Sequence, residues 1–216
     1  MADEDVSPEL RVAGGGKVAH LKGENGFVLR AGESGVAGAG KGIFIDGEAI
    51  SGTLLGYLPG RVHVAEFLKG ANALEQFADD PNHLVLMRTD DILIDARDFD
   101  GVEHPTNPYA LGHLANHPPE GKKPNVMHLP IDFASDAFHS QTGVSDVVPN
   151  SYAKKPTLLG TPDKSACMYG MAMVALRDVK DEELFLNYRF NPDAPGLPQW
   201  YAPVDDDQDR RRWSEK

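Results

Sequence analysis

Short apolar runs separated by turn residues restrict this 216-residue chain more than any other feature. Its 22 glycines and 16 prolines fall mostly between those runs, which favours short strands and turns over a helical bundle. Asp46-Gly47 and Ser51-Gly52 are typical turn pairs, and 176–188 is predicted to form a turn followed by a strand. The other predicted strands are 17–21, 27–30, 43–45, 53–58, 83–88, 92–95, 125–133 and 168–176.

Apolar residues at helical spacing are rare. They predict one helix over 63–78, with Val64, Phe67 and Leu68 on the same face. Near the end of the chain, acidic residues precede arginines at the spacing of a short solvated helix.

The stretch "TNPYALGHLANHPP" carries signals for a third helix. Asn107 is a suitable N-cap, Pro108 a suitable first residue and Pro118 a stop, which predicts about two turns. Because strands still dominate and no long strand–helix–strand units alternate, we expect a mainly β fold with short helices rather than a doubly wound parallel sheet.

The glycine-rich stretch "GVAGAGKG" (35–42) resembles a phosphate-binding loop only in part. Gly42 stands where a Ser or Thr should ligate magnesium, and Ile43, Phe44 and Ile45 follow as a strand instead of a helix start. The dinucleotide fingerprint fails as well, because its third glycine would fall at Ile43. The stretch is therefore read as a glycine turn before a strand, either a plain turn or backbone that a ligand can approach closely.

The charge of the chain limits its partners. A net charge of −12 repels nucleic-acid phosphates and attracts a basic protein or peptide, although solubility alone is a sufficient reason for it. Cys167 is the single cysteine, so neither an internal disulfide nor a cysteine-based zinc site is possible. The acidic start is not a signal peptide, and no apolar run is long enough for a bilayer, so we expect an intracellular protein of the nucleus or the cytoplasm, without a membrane role.

Four histidines lie close together in the middle of the chain: His104, His113, His117 and His128. His113 and His117 have the spacing of one helical turn, but Leu114 stands where a zinc hydrolase has glutamate. We therefore expect no metal site and keep a metal-dependent enzyme as the least favoured reading. The neighbouring Asn116 can fix backbone or orient a ligand through its amide, and Asn125 follows downstream.

Three stretches in order resemble the SET domain. "GVAGAGKGIFI" followed by "ISGTLLGYLPG" resembles its opening, "ALGHLANHPPEGKKPNV" its Asn-His core, and "MVALRDVKDEELFLNY" its closing motif. "NPYALGHLANH" and "EELFLNY" are most similar to small proteins with a single SET domain. The likeness implies a flexible leader at 1–22, a SET domain at 23–190 and a C-terminal closing segment and tail at 191–216.

The resemblance implies small curved sheets with a threaded, knot-like C-terminal segment, and a lysine methyltransferase that uses S-adenosyl-L-methionine. The substrate would be a basic protein or peptide, with histones as one candidate. By position, the catalytic tyrosines would be Tyr188 and Tyr57. The cofactor would be held by Gly40, Lys41, Gly42, His113, Leu114, Asn116 and His117, and the substrate channel lined by Phe185, Leu186 and Asn187.

The chain departs from the family pattern at several places. Pro118 replaces the usual serine after Asn-His, His113 the usual arginine, and Asn187 the frequent aspartate. Leu186 stands where an aromatic residue commonly controls how many methyl groups are added, which leaves the product open. No cysteine-rich flank closes the site, and we expect "PGLPQWY" (195–201) to do so, with Trp200 over the cofactor. The alternative is a catalytically weak or inactive SET-like binding module. Glu182 and Glu183 are read as acids of a turn before a strand.

Overall fold

A computed structural model describes residues 25–64, 84–90, 92–103, 107–133, 150–152, 157–158, 161–162 and 168–214. These residues form small sheets with one short helix and two 3-10 turns, so the predicted mainly β class is confirmed. The strands are β1 (Phe27–Glu33), β2 (Lys41–Ala49), β3 (Leu54–Tyr57), β4 (Gly60–Val64), β5 (Val85–Met87), β6 (Ile92–Asp95), β7 (Val126–Phe133), β8 (Asn150–Tyr152), β9 (Thr157–Leu158), β10 (Thr161–Pro162), β11 (Met168–Ala175) and β12 (Val179–Lys180).

The first sheet has the order β1-β2-β12, and all its pairs are antiparallel. Alternate residues of the β1–β2 hairpin point into the main core, because strand side chains alternate between the two faces. The predicted turn at Asp46-Gly47 is wrong, since both residues continue β2 opposite Val28 and Phe27. Gly47 is needed there because a Cβ would collide with the carbonyl oxygen of Gly26.

The second sheet has β11 at its centre, between β3 and β7, again antiparallel. Met173 and Ala175 of β11 and Val126 of β7 pack against the hairpin. The main core also contains Phe27, Leu29, Ile43, Ile45, Ala49, Leu55, Leu111, Ala115, Val179 and Leu184.

The third sheet has the order β5-β6-β4-β8, and β4 pairs parallel with β8. A short hairpin joins β9 to β10. Arg88 connects the third sheet to the second from a buried position: Nη1 donates to the carbonyls of Ile131 (3.1 Å) and Gly170 (2.9 Å), and Nη2 pairs with Asp90 (2.7 Å) and Asp132 (2.9 Å).

The late segment 182–186 lies between β2 and the two ends of the 116–125 loop. Its backbone bonds are Ile45 N to Glu182 O (3.0 Å), Leu184 N to Ile43 O (2.8 Å), Leu186 N to Asn116 O (2.9 Å), and Asn125 N to Phe185 O (3.1 Å). Since both ends of this loop bond to one segment that comes about sixty residues later in the chain, the late segment is inserted between earlier elements, as a threaded C-terminal segment requires.

The helix predicted over 107–118 is wrong, whereas the helix predicted over 63–78 is tested only at its first two residues. Residues 63 and 64 end strand β4, and the rest of 63–78 lies outside the described residues, as does the predicted strand at 17–21. In 107–118 the only regular element among the described residues is a 3-10 turn over Gly112–Leu114. Asn107 does form a local cap, since its Oδ1 accepts from Tyr109 N. The carbonyl of Tyr109, however, accepts from Tyr57 N and is therefore not available for a helical hydrogen bond.

The C-terminal helix α1 (Asp206–Ser214) confirms the last helix prediction. It is tied to the preceding segment by an ion pair between Arg210 and Asp193 and by Trp213 Nε1, which donates to Arg189 O (3.0 Å). Among the described residues, no helix has the length and apolar character to cross a bilayer.

Candidate functional site

The glycine stretch forms a closed turn that leads into β2. Ser34 N donates to Gly40 O (2.8 Å), and Ala39 N donates to Val36 O (3.1 Å). At Gly40, with φ of +69°, a Cβ would meet no atom within 4 Å. A ligand can therefore approach the backbone closely at this end of the turn. This agrees with the second of the two interpretations that the sequence allowed.

Asn116 joins this turn to the late segment. Its Nδ2 donates to Lys41 O (2.9 Å), and its own carbonyl accepts from Leu186 N (2.9 Å). Gly42 lies directly beside it: a Cβ there would approach Asn116 Nδ2 to 3.2 Å and collide with the carboxylate of Glu183. A side chain at position 42 would displace the Glu183 carboxylate and crowd the Asn116 amide, so glycine allows this close contact between Asn116 and the start of β2.

His117 is buried, with 2% of its surface exposed. Its Nδ1 accepts from Tyr188 N (3.2 Å), so its proton lies on Nε2, which donates to Ala202 O (2.8 Å). Burial lowers the pKa of the imidazole, which agrees with this neutral form. The histidine thereby connects the Asn-His motif with the closing tyrosine and with the C-terminal segment.

Tyr188 stands next to His117 in an aromatic cluster. Its hydroxyl donates to Ala115 O (3.1 Å), and burial raises its pKa to about 12. Its ring centroid lies 5.6 Å from that of His117 and 6.1 Å from that of Trp200, which is 40% exposed. Phe190 and Tyr201 complete the cluster, at 5.4 Å from Tyr188 and 4.5 Å from His117. The structure thus brings predicted residues from all three motifs to one place.

Several predicted site residues have other surroundings. The ring of His113 packs 6.1 Å from Phe99, and burial lowers the pKa of His113. Leu114 packs against the main core. Tyr57 is buried on β3 opposite Ala172, and burial raises its pKa to about 12.

Two of the predicted channel residues, Phe185 and Leu186, belong to the late segment, and Asn187 follows it directly. Phe185 is 5% exposed and receives the Lys122 ammonium over its ring at 5.3 Å, while Leu186 packs against the main core. Asn187 Oδ1 accepts from Arg189 N (3.0 Å).

The side chain of Lys41 points to acidic residues. Its Nζ lies 2.8 Å from Glu33 and 3.5 Å from Glu103, and these partners raise its pKa. Only its backbone carbonyl takes part in the contact with Asn116.

Sequence reasoning missed two residues of this site. Glu183 was read as an acid of a turn, yet it is buried and bonded to the glycine turn. Asn125 is fully buried: Nδ2 donates to Glu183 O (2.8 Å) and Glu182 Oε2 (3.1 Å), and Oδ1 accepts from Phe185 N (2.6 Å). The sequence did contain a signal for both residues, namely a polar residue directly before an apolar run. Asn125 has this position in the second motif and Glu183 in the third.

His113, His117 and His128 do not form a metal site among the described residues, and His104 lies outside them. No group of three or more His, Cys, Asp or Glu side chains there could hold a metal ion. Both ring nitrogens of His128 are enclosed without a hydrogen-bond partner among the described residues, and burial lowers its pKa to about 4.

The buried histidines predict that acid destabilises the fold before most carboxylates titrate. His128 takes up its proton near pH 6.5 when unfolded but near 4 when folded, so its contribution falls as the pH drops through this window. We expect the unfolding free energy to fall by on the order of 1 to 2 kcal/mol between pH 7 and 5. Urea unfolding at both pH values measures it, and His128→Leu should flatten the slope. If stability depended on pH equally in the variant and the wild type, His128 would not be the cause. Asp209 has a raised pKa, so its protonation favours the folded state as the pH falls and partly offsets the loss from His128.

Comparisons with known proteins leave the family open. No protein-family model and no curated protein matches the chain. Solved structures that are similar to it include a humanized mutant of the Chaetomium thermophilum Polycomb Repressive Complex 2 bound to the inhibitor GSK126 (16% identity, TM-score 0.39, 74% of this chain and 14% of that chain). Another is ctPRC2 in an autoinhibited conformation bound to S-adenosylmethionine (17%, TM-score 0.41, 78% and 16%).

These likenesses are too weak to assign a function. The TM-scores lie below 0.5, and the chain spans only about a sixth of the chains that it matches. Only the contacts within this chain therefore bear on its function.

Proposed function

We propose that the chain is an S-adenosyl-L-methionine-dependent methyltransferase of the SET type, which methylates a lysine of a basic protein or peptide. The observation that carries the proposal is the meeting of three distant motifs: Asn116 bonds to Lys41 of the glycine turn, and its neighbour His117 bonds to Tyr188. Each motif alone is only moderately specific for the SET domain. The hydrogen bonds between them join residues of all three motifs, which supports a shared function.

The residues present fit this cofactor. Gly40 offers open backbone, because a Cβ there would meet no atom within 4 Å. Asn116 and the neutral His117 bond within the chain and position the glycine turn and Tyr188, while the half-exposed Trp200 offers an aromatic face to an adenine ring. No metal and no covalent intermediate are needed for such a reaction.

S-adenosyl-L-methionine supplies a methyl group on a sulfonium, which a neutral amine can displace in line. Reaction needs the amine nitrogen at near-attack distance, about 3 to 3.5 Å from the methyl carbon. The lysine must also lose a proton despite an ordinary pKa of about 10.4, and a dry channel together with the nearby sulfonium charge would lower that value. Tyr188 stays protonated at neutral pH, since its pKa is about 12, so it orients groups as a hydrogen-bonding hydroxyl rather than acting as a base.

The substrate class follows from charge. A chain with a net charge of −12 attracts Lys- and Arg-rich segments such as histone tails and repels nucleic acid and anionic membranes. We place such an enzyme in the nucleus or the cytoplasm. As domain limits we propose 23–190 for the SET domain, 1–22 for the leader and 191–216 for the closing segment.

Calorimetric titration with S-adenosyl-L-methionine tests the proposal without knowledge of the substrate. We expect one site per chain, followed by transfer of a radiolabelled methyl group to core histones or a Lys-rich peptide. A protein that binds neither S-adenosyl-L-methionine nor S-adenosylhomocysteine would refute it.

A second candidate function is a SET-like binding module without turnover. Phe185 is almost fully buried and Asn187 is bonded to Arg189 N, so two of the predicted channel residues are engaged within the protein. Binding of cofactor and basic peptide without methyl transfer would favour this alternative.

Trp200→Ala is expected to weaken cofactor binding about tenfold or more, because the aromatic face next to His117 and Tyr188 is lost. Its 40% exposure keeps the effect on stability small. Calorimetry measures the affinity, and Trp213→Ala, on α1, is the matched control that should bind as the wild type does. Unchanged affinity in Trp200→Ala would remove Trp200 from the site.

A further inference from the structure

The carboxylate of Glu183 is enclosed by the glycine turn. Ser34 Oγ donates to Oε1 (2.5 Å) and Gly35 N donates to Oε2 (2.9 Å), while the residue as a whole is 9% exposed. A Cβ on Gly42 would collide with Oε1, and one on Gly35 would come within 3.3 Å of Oε2. The negative charge is therefore fixed directly behind the backbone that the proposed cofactor site uses.

Among the described residues no basic side chain lies within ion-pair distance of this carboxylate; Arg30 stacks instead on Phe44, which pairs with Glu183. Lys41, the nearest basic residue along β2, pairs with Glu33 and Glu103 on the strand's other side. A hydroxyl and an amide satisfy the lone pairs of the carboxylate but bring no net positive charge. The carboxylate is held by hydrogen bonds with no cation at ion-pair distance, so a cation that enters the neighbouring site would be attracted to it.

We propose that Glu183 is a specificity-determining residue that favours a cationic sulfonium ligand over its neutral thioether counterpart. The inference rests on the proposed function and deepens it. The fixed carboxylate attracts S-adenosyl-L-methionine, whose sulfur carries a positive charge, and it does not attract S-adenosylhomocysteine in the same way. The site thereby holds the methyl donor and releases the demethylated product.

The test compares two ligands on one variant. In Glu183→Gln, calorimetry should show that S-adenosyl-L-methionine loses about fivefold more affinity than S-adenosylhomocysteine, since two unit charges in a partly screened site attract by this amount or more. A residue that only shapes the turn would weaken both ligands equally. An unchanged ratio of the two dissociation constants would therefore overturn the inference.

Further variants separate charge from shape. Glu48→Gln removes the same charge from an exposed position paired with Lys180, and it should leave the ratio as in the wild type. Glu183→Asp and Glu183→Asn form a pair of equal size: the aspartate variant should keep the discrimination and the asparagine variant should lose it, even if Glu183→Gln does not fold. Equal discrimination in the pair would also overturn the inference.

The outcomes distinguish this inference from the function on which it rests. A wild-type protein that binds neither ligand refutes the proposed function. A wild-type protein that binds both, with a ratio that no Glu183 variant changes, refutes the role of Glu183 and leaves the function standing.

Discussion

Tyr188→Phe is expected to reduce methyl transfer at least about 100-fold while cofactor binding stays within about twofold of the wild type. A positioned hydroxyl that orients reacting groups typically contributes a factor of this size. The Tyr188 hydroxyl is held against Ala115 O at 3.1 Å, and phenylalanine keeps the ring contacts with His117 and Trp200. Single-turnover transfer to a Lys-rich peptide measures the rate, and calorimetry measures the binding.

The control for this variant is Tyr109→Phe. The Tyr109 hydroxyl accepts from Asn25 Nδ2 (2.7 Å) on the exposed side of the molecule, so its removal should leave the rate unchanged. Wild-type turnover in Tyr188→Phe would exclude the hydroxyl from catalysis. Loss of cofactor binding together with turnover would instead make Tyr188 part of the scaffold.

The pH behaviour of Tyr188 follows from the same burial. With a pKa of about 12, the hydroxyl remains protonated between pH 6 and 9, so it contributes no ionisation to a rate profile in that range. A rise of the rate with pH in that range is therefore not caused by ionisation of Tyr188.

Local sequence signals predicted the strands because each strand is decided mainly by its own residues. Ile43, Phe44 and Ile45 after the glycine turn are enough to reject a helix start, and β2 runs through all three. The same holds for β7 and β11, whose apolar runs were predicted almost to the residue. Their pairing with each other was not readable, because it joins residues about forty positions apart.

Local sequence signals failed to predict the structure where a residue distant in sequence forms a hydrogen bond with the backbone. Asn107 and Pro108 are good helix-start residues, yet the bond from Tyr57 N to Tyr109 O and the close packing of Gly112 on Tyr57 favour a turn. Two helical turns gain too little on their own to compete with such contacts.

The candidate site shows the same limit. Asn116, His117 and Tyr188 were found through a family resemblance that spans the chain, and their contacts bring them together. Glu183 was misread as a turn acid because its partner Ser34 lies 149 positions away. No window of sequence around "DEELF" contains the hydroxyl or the amide that enclose it.

Asn125→Ala is expected to destabilise the whole fold by about 3 kcal/mol or more. The side chain is fully buried and satisfies Phe185 N and Glu183 O, two backbone groups of the inserted segment. Alanine would leave both groups without partners in a dry environment, at about 1 to 3 kcal/mol for each, and would add a small cavity. Urea unfolding followed by tryptophan fluorescence measures the loss.

The matched control is Asn191→Ala, whose side chain accepts from Asp193 N (3.0 Å) near the surface. It should cost less than about 1 kcal/mol, because water can replace the lost bond. If Asn125→Ala unfolded at the same urea concentration as this control, the late segment would not depend on Asn125. In that case the backbone bonds from Leu184 N to Ile43 O and from Leu186 N to Asn116 O would be sufficient to hold it between β2 and the 116–125 loop.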